Sequence, residues 1–121
     1  MSEQQQSKLG AMVQCLRVAK LTASCAFYGK LGFRQAGGST SEGWAILNDG
    51  ENELHLFQGH IASNTLNFRG GDVFAIAAEL KRQGVAMKTD AEREGDGSDG
   101  AWIEDPDGNA IYFNTSPEER R

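Results

Sequence analysis

The feature that most constrains this chain is a pattern that runs along it twice. Met12–Val18 (MVQCLRV) reads as an apolar strand, and Leu21–Leu31 as a helix with Thr22 as its N-cap and Gly32 just past its end. Phe33–Thr40 is a short strand entering Gly37-Gly38, and Gly43–Leu47 (GWAIL) is another. An Asn48-Asp49-Gly50 turn follows, then Glu53–Phe57 (ELHLF), whose polar and apolar residues alternate as in a half-buried strand. The order then restarts with Thr65–Arg69 as a strand, Asp72 as N-cap and Val73–Gln83 as a helix closed by Gly84. Val73, Ile76, Ala77 and Leu80 share one helical face. Val85–Thr89 reads as a strand and residues 94–100 (EGDGSDG) as a flexible loop. Ala101–Glu104 and Ala110–Asn114 flank the turn Asp105-Pro106-Asp107-Gly108.

The first strand and helix repeat at an offset of 52: Val13 matches Thr65, Leu16 Phe68, Arg17 Arg69, Cys25 Ala77 and Gly32 Gly84. The repeat is one of pattern rather than identity, and it predicts two βαβββ modules, an α+β fold. Module one spans about residues 11–58 and module two about 63–116, within a single domain 11–121 behind a disordered lead-in, 1–10. A lone helix covers one face of each sheet, which leaves the other face to line a small-molecule cavity shared by the modules.

Composition narrows the partners. Of the 121 residues, 39% are hydrophobic and 24% charged, as expected of a globular protein. The net charge is −5 with no basic block, which argues against nucleic acid. The polar start shows no signal-peptide core, and no apolar run is of membrane-spanning length. Cys15 and Cys25 form neither a CxxC pair nor a Cys/His metal spacing, and a reduced, cytoplasmic setting fits them.

Three segments carry a family resemblance. LRVAKLTASCAFYGKLGF resembles the first strand and helix of the vicinal oxygen chelate superfamily, which includes glyoxalase I, bleomycin-resistance proteins, fosfomycin-resistance enzymes and extradiol dioxygenases. GWAILNDGENELHLFQGH resembles the middle of bleomycin-resistance proteins, and EDPDGNAIYF the superfamily's closing turn and strand. The likeness covers roughly residues 12–114 and implies tandem βαβββ modules in a cupped mixed sheet. It also implies a homodimer.

Metal-dependent members of that superfamily draw one ligand from each of four strands. Carried over, those positions fall on Val13, Glu53, Thr65 and Tyr112. Glu53 alone is an ordinary ligand: valine has no lone pair, and neutral hydroxyls are poor ligands for Zn, Ni or Fe. The expectation is therefore no metal and no cofactor, although His55 could supply a replacement ligand beside Glu53. His60 falls in a loop.

If Glu53 faces the cavity, period-two alternation places Val13, Cys15, Arg17, His55, Phe57, Thr65, Asn67, Arg69, Tyr112 and Asn114 with it. Trp44, Ile46, Trp102 and Glu104 follow by the same logic. Leu16, Val18, Leu54, Leu56, Leu66, Phe68, Ile111 and Phe113 then point at the helices.

Each polar or reactive residue has two readings. Trp44 and Trp102 either pack the cavity edge or stack on a planar ligand. Arg17 and Arg69 either pair with Glu53 and Glu104 or hold an anionic ligand. Cys15 is a small wall residue or a nucleophile, and no histidine is placed to act as its base. Glu53 and His55 are the catalytic candidates. Loop 94–100 is a solvent loop or a lid.

The expected ligand-binding residues are thus Cys15, Arg17, Trp44, Glu53, His55, Phe57, Asn67, Arg69, Trp102 and Tyr112. The expected function is metal-free binding of a small aromatic or cationic compound, with antibiotic sequestration as its extreme form. The alternative is a lyase, isomerase or dioxygenase with a rebuilt site.

Overall fold

The computed structural model describes residues 7–120, so most of the expected lead-in, residues 1–6, lies outside the described residues. The last part of that lead-in departs from expectation. Leu9 packs against a core cluster and Gly10 opens the first strand.

Ten elements follow in chain order: β1 (Gly10–Arg17), α1 (Leu21–Gly29), β2 (Arg34–Ser39), β3 (Trp44–Asn48), β4 (Glu53–Phe57), β5 (Thr65–Gly70), α2 (Val73–Arg82), β6 (Thr89–Arg93), β7 (Asp99–Glu104) and β8 (Ala110–Thr115). The order βαβββ occurs twice, as the 52-residue repeat predicts. The fold is α+β, built of tandem βαβββ modules.

The chain divides into two compact units, Val13–Thr65 and a second running from Leu66 onward together with the described residues up to Met12. In the first, the strand order is β2-β3-β4-β1. β1 runs parallel to β4, while β3 is antiparallel to both β2 and β4, so the sheet is mixed. In the second unit the order β5-β8-β7-β6 is the same order read from the other end. β7 is antiparallel to both β6 and β8.

Each helix covers one sheet face, and alternation along the strands decides which residues it meets. In the first unit Leu21, Ala45, Leu47 and Leu56 form the buried centre, with Leu16, Val18, Cys25, Tyr28, Phe33 and Leu54 packed around it. Burial also raises the Cys25 thiol above its ordinary pKa. In the second unit Val73 and Ile76 of α2 meet Ala101, Ile103 and Phe113. Phe68 stacks on Phe113 with ring centroids 5.7 Å apart. Ala77 is buried as well, and Leu80 joins the cluster from the same helical face.

The two helices start differently. Asp72 accepts a hydrogen bond from the Ala75 N–H at 3.1 Å, the expected N-cap. Thr22 does not cap α1: Lys20 holds that position without a side-chain bond. The Leu21 N–H is instead satisfied by the Gln58 side-chain oxygen at 2.8 Å, far along the chain.

Two further expectations change. The strand expected at Val85–Thr89 begins only at Thr89, because Val85 and Met87 pack irregularly against the α2 cluster. The expected loop 94–100 ends early, because Asp99 and Gly100 already belong to β7. Asp99 is buried there, with Arg93 at 2.7 Å and Arg120 at 3.5 Å from its carboxylate. A buried charge paired in this way is held in a sheet, and these two residues are not part of a mobile lid.

Candidate functional site

The sheet face opposite α1 carries the first group of candidate residues. Cys15 stands beside His55 across the parallel β1–β4 ladder, and Arg17 beside Phe57. Across β3–β4, Ile46 faces His55 and Trp44 faces Phe57. One face therefore holds Val13, Cys15, Arg17, Trp44, Ile46, Glu53, His55 and Phe57, while Ala45, Leu47 and Leu56 lie under the helix. The pairing of the sequence-distant β1 and β4 is what brings Cys15 and His55 side by side.

His55 is buried and its Nε2 lies 2.6 Å from Glu53 Oε2. The Glu53 side chain keeps 41% of its exposure, so the imidazole is sheltered while the carboxylate still meets solvent. With a carboxylate as acceptor, Nε2 carries the proton and donates it. The Trp44 and Phe57 rings lie nearly parallel, 8° apart with centroids at 6.4 Å. His60, expected in a loop, reaches the Glu42 carbonyl oxygen at 2.6 Å and meets the Phe57 ring edge-on. Arg17 is exposed and lines an open groove of about 610 Å³ with Gln58, Ser63 and Asn64.

The strand face opposite α2 in the second unit carries the rest. Asn67 is buried and donates to the Tyr112 carbonyl oxygen at 3.1 Å and the Asn114 side-chain oxygen at 2.8 Å. Trp102 and Tyr112 are register partners on β7 and β8. Their rings stack at 4.2 Å with an interplanar angle of 21°. The Tyr112 hydroxyl donates to the Glu94 carboxylate, 3.1 and 3.2 Å from its two oxygens. Burial first, then the Glu94 charge and hydrogen bond, push the Tyr112 phenol well above its ordinary pKa, partly offset by Arg69.

The expected ion pairs are replaced by others. Glu53 engages His55, Glu104 engages Lys88 at 2.7 Å, and Arg69 engages Glu119 at 3.3 Å. Glu94 was missed because it sits in a stretch that reads as a solvent loop. The available signal is Gly100, which alternation places on the same face as Trp102. A Cβ there would lie 2.6 Å from Glu94 Oε2 and 2.9 Å from the Tyr112 hydroxyl. The missing side chain is what makes room for the pair.

The four positions to which the resemblance assigns metal ligands hold few metal donors. Val13 offers no donor. The Thr65 hydroxyl donates to the Ser63 carbonyl oxygen at 3.0 Å, the Tyr112 hydroxyl is committed to Glu94, and Glu53 holds His55. Among the described residues no three His, Cys, Asp or Glu side chains gather as a metal site. The donor chemistry does not fit the superfamily's divalent ion.

A family model for the Glyoxalase/Bleomycin resistance protein/Dioxygenase superfamily matches residues 9–113. The chain belongs to this superfamily. Three solved structures show the same fold. One, described as NAD-dependent benzaldehyde dehydrogenase from Legionella pneumophila, superposes with a TM-score of 0.74 at 14% identity, covering 88% of this chain and 99% of that one. A superfamily member from Vibrio splendidus 12B01 gives 0.69 at 13% identity, covering 88% and 98%. Hypothetical protein BH1468 from Bacillus halodurans C-125 gives 0.63 at 19%, covering 86% and 91%. At these identities the likeness concerns the fold, and the activity in the first name stays with that protein. No curated protein matches the chain in sequence. No helix among the described residues is long and apolar enough to cross a membrane.

Proposed function

We propose that this superfamily member is a metal-free binding protein that captures a small aromatic or cationic compound. The observation that carries this reading is the fate of the four ligand positions. Their side chains are apolar or already committed, while aromatic rings occupy the same helix-free sheet faces. Such faces offer stacking area and a few fixed polar groups, the usual composition of a small-molecule site. Cys15, Arg17, Trp44, Glu53, His55 and Phe57 supply the contacts in the first unit, and Asn67, Arg69, Trp102 and Tyr112 in the second. Sequestration of an antibiotic is the extreme form of this function, with a homodimer in the cytoplasm as its working state.

Calorimetry of chelator-treated protein against planar drugs, charged and neutral, tests the proposal. Binding well below millimolar supports it, and its absence across the panel defeats it.

A second reading is favoured by the His55–Glu53 contact, a carboxylate-oriented imidazole suited to proton transfer. In that reading the protein is a lyase, isomerase or dioxygenase with a site rebuilt around Glu53, His55, Cys15 and Tyr112. Elemental analysis of gently purified protein separates the two. A stoichiometric divalent metal that disappears in Glu53→Ala would favour the enzyme.

A further inference from the structure

Glu94 is a half-buried carboxylate hydrogen-bonded by the hydroxyl of one ring of an aromatic stack, and among the described residues no cation forms an ion pair with it. Its position is fixed from both sides. The Glu94 N–H donates to the Ser98 carbonyl oxygen at 2.7 Å, and the Gly97 N–H donates to the Glu94 carbonyl oxygen at 2.9 Å. The Tyr112 hydroxyl then orients the carboxylate. An ionised carboxylate has about four acceptor sites, and a single phenol O–H fills one. Among the described residues no lysine, arginine or histidine pairs with it. Arg69, the one cation that acts on the Tyr112 phenol, is engaged with Glu119. Asp96 adds a second negative charge near the same phenol. A half-buried carboxylate is costly without a partner, and this one lies beside two stacked rings whose faces attract cations.

We propose that Glu94, Trp102 and Tyr112 form a subsite for an organic cation, a protonated amine or quaternary ammonium carried on an aromatic body. The ring system lies on Trp102 and the positive charge meets the Glu94 carboxylate. This rests on the small-molecule-binding reading above and goes beyond it by naming the charge of the ligand and the residue that selects it. Arg17 and Arg69, the cations on these faces, take no part in that selection.

The test uses two probes of nearly the same shape, 1-methylquinolinium and the neutral 1-methylnaphthalene, titrated into the full chain and followed by tryptophan fluorescence. Wild type is expected to prefer the cation by roughly tenfold. Glu94→Gln keeps an oxygen to accept the Tyr112 hydroxyl and removes the charge, so the preference should collapse. Glu79→Gln removes an exposed carboxylate on α2, across the sheet from the subsite, so it should retain the preference. Equal binding of the two probes overturns the cation subsite and leaves aromatic binding standing. A cation preference that survives in Glu94→Gln overturns the assignment to Glu94. No binding of either probe at millimolar concentration overturns the subsite together with the reading it rests on.

Discussion

The Tyr112 hydroxyl donates to the Glu94 carboxylate, 3.1 and 3.2 Å from its two oxygens, although Glu94 lies in the turn after β6 and Tyr112 on β8. Burial and the neighbouring negative charge disfavour the phenolate, so the folded phenol titrates above the ordinary value of 10.0. The stability from the protonated phenol is therefore fully present below pH 10. It declines as the pH rises beyond that toward the higher folded value. Spectrophotometric titration of the phenolate should find Tyr112 still protonated above pH 10 in wild type. Glu94→Gln should bring its midpoint down.

Gly100 is the cavity in which that pair sits. Its backbone accepts a side chain, but an alanine Cβ would meet Glu94 Oε2 and the Tyr112 hydroxyl. Gly100→Ala should destabilise the fold by about 1–3 kcal/mol in denaturant unfolding, the range for overpacking. The carboxylate is the flexible partner, so the cost should shrink in Gly100→Ala combined with Glu94→Ala. An unchanged cost in the double variant would show that the clash lies elsewhere.

The helix starts offer a paired comparison. Asp72→Ala removes the cap on the Ala75 N–H and should cost about 1 kcal/mol. Lys20→Ala removes no cap bond and should stay within about 0.5 kcal/mol. Equal effects in thermal unfolding would contradict the assignment of Gln58 to the first helix.

Leu56 is fully buried under α1 at the centre of the first unit's core. Leu56→Ala should cost about 2–5 kcal/mol through lost transfer energy and the cavity left behind. His55, the preceding residue, points to the other face. His55→Gln should leave the helix-side packing intact and disturb the sheltered contact with Glu53.

What was legible in the sequence is what local chemistry encodes. Gly32 and Gly84 follow the two helices with positive φ, a conformation glycine adopts freely, so the repeat could be read from them. The alternation in ELHLF named the polar face of β4 correctly because one side of that strand is core. The misses have non-local causes. Thr22 looked like a cap, but the open N–H of Leu21 is met by Gln58, which the turn of chain after β4 delivers. β6 reads TDAER, too charged to suggest a strand, because an edge strand does not need an apolar pattern. Asp99 and Gly100 carry turn-like composition, yet Arg93 and Arg120 compensate the buried carboxylate and the empty glycine position admits Glu94. The Cys15–His55 adjacency depends on a parallel pairing that no local pattern announces.

The most direct measurement for the central claim is a ¹⁵N-resolved NMR titration of chelator-treated protein with a planar aromatic cation. Saturable shifts are expected, without added metal, at the Trp44 and Trp102 indole N–H groups and at the backbone amides of His55, Asn67 and Tyr112. Shifts that appear only after a divalent metal is restored, or that spread over the helix-side residues and spare these positions, would contradict it.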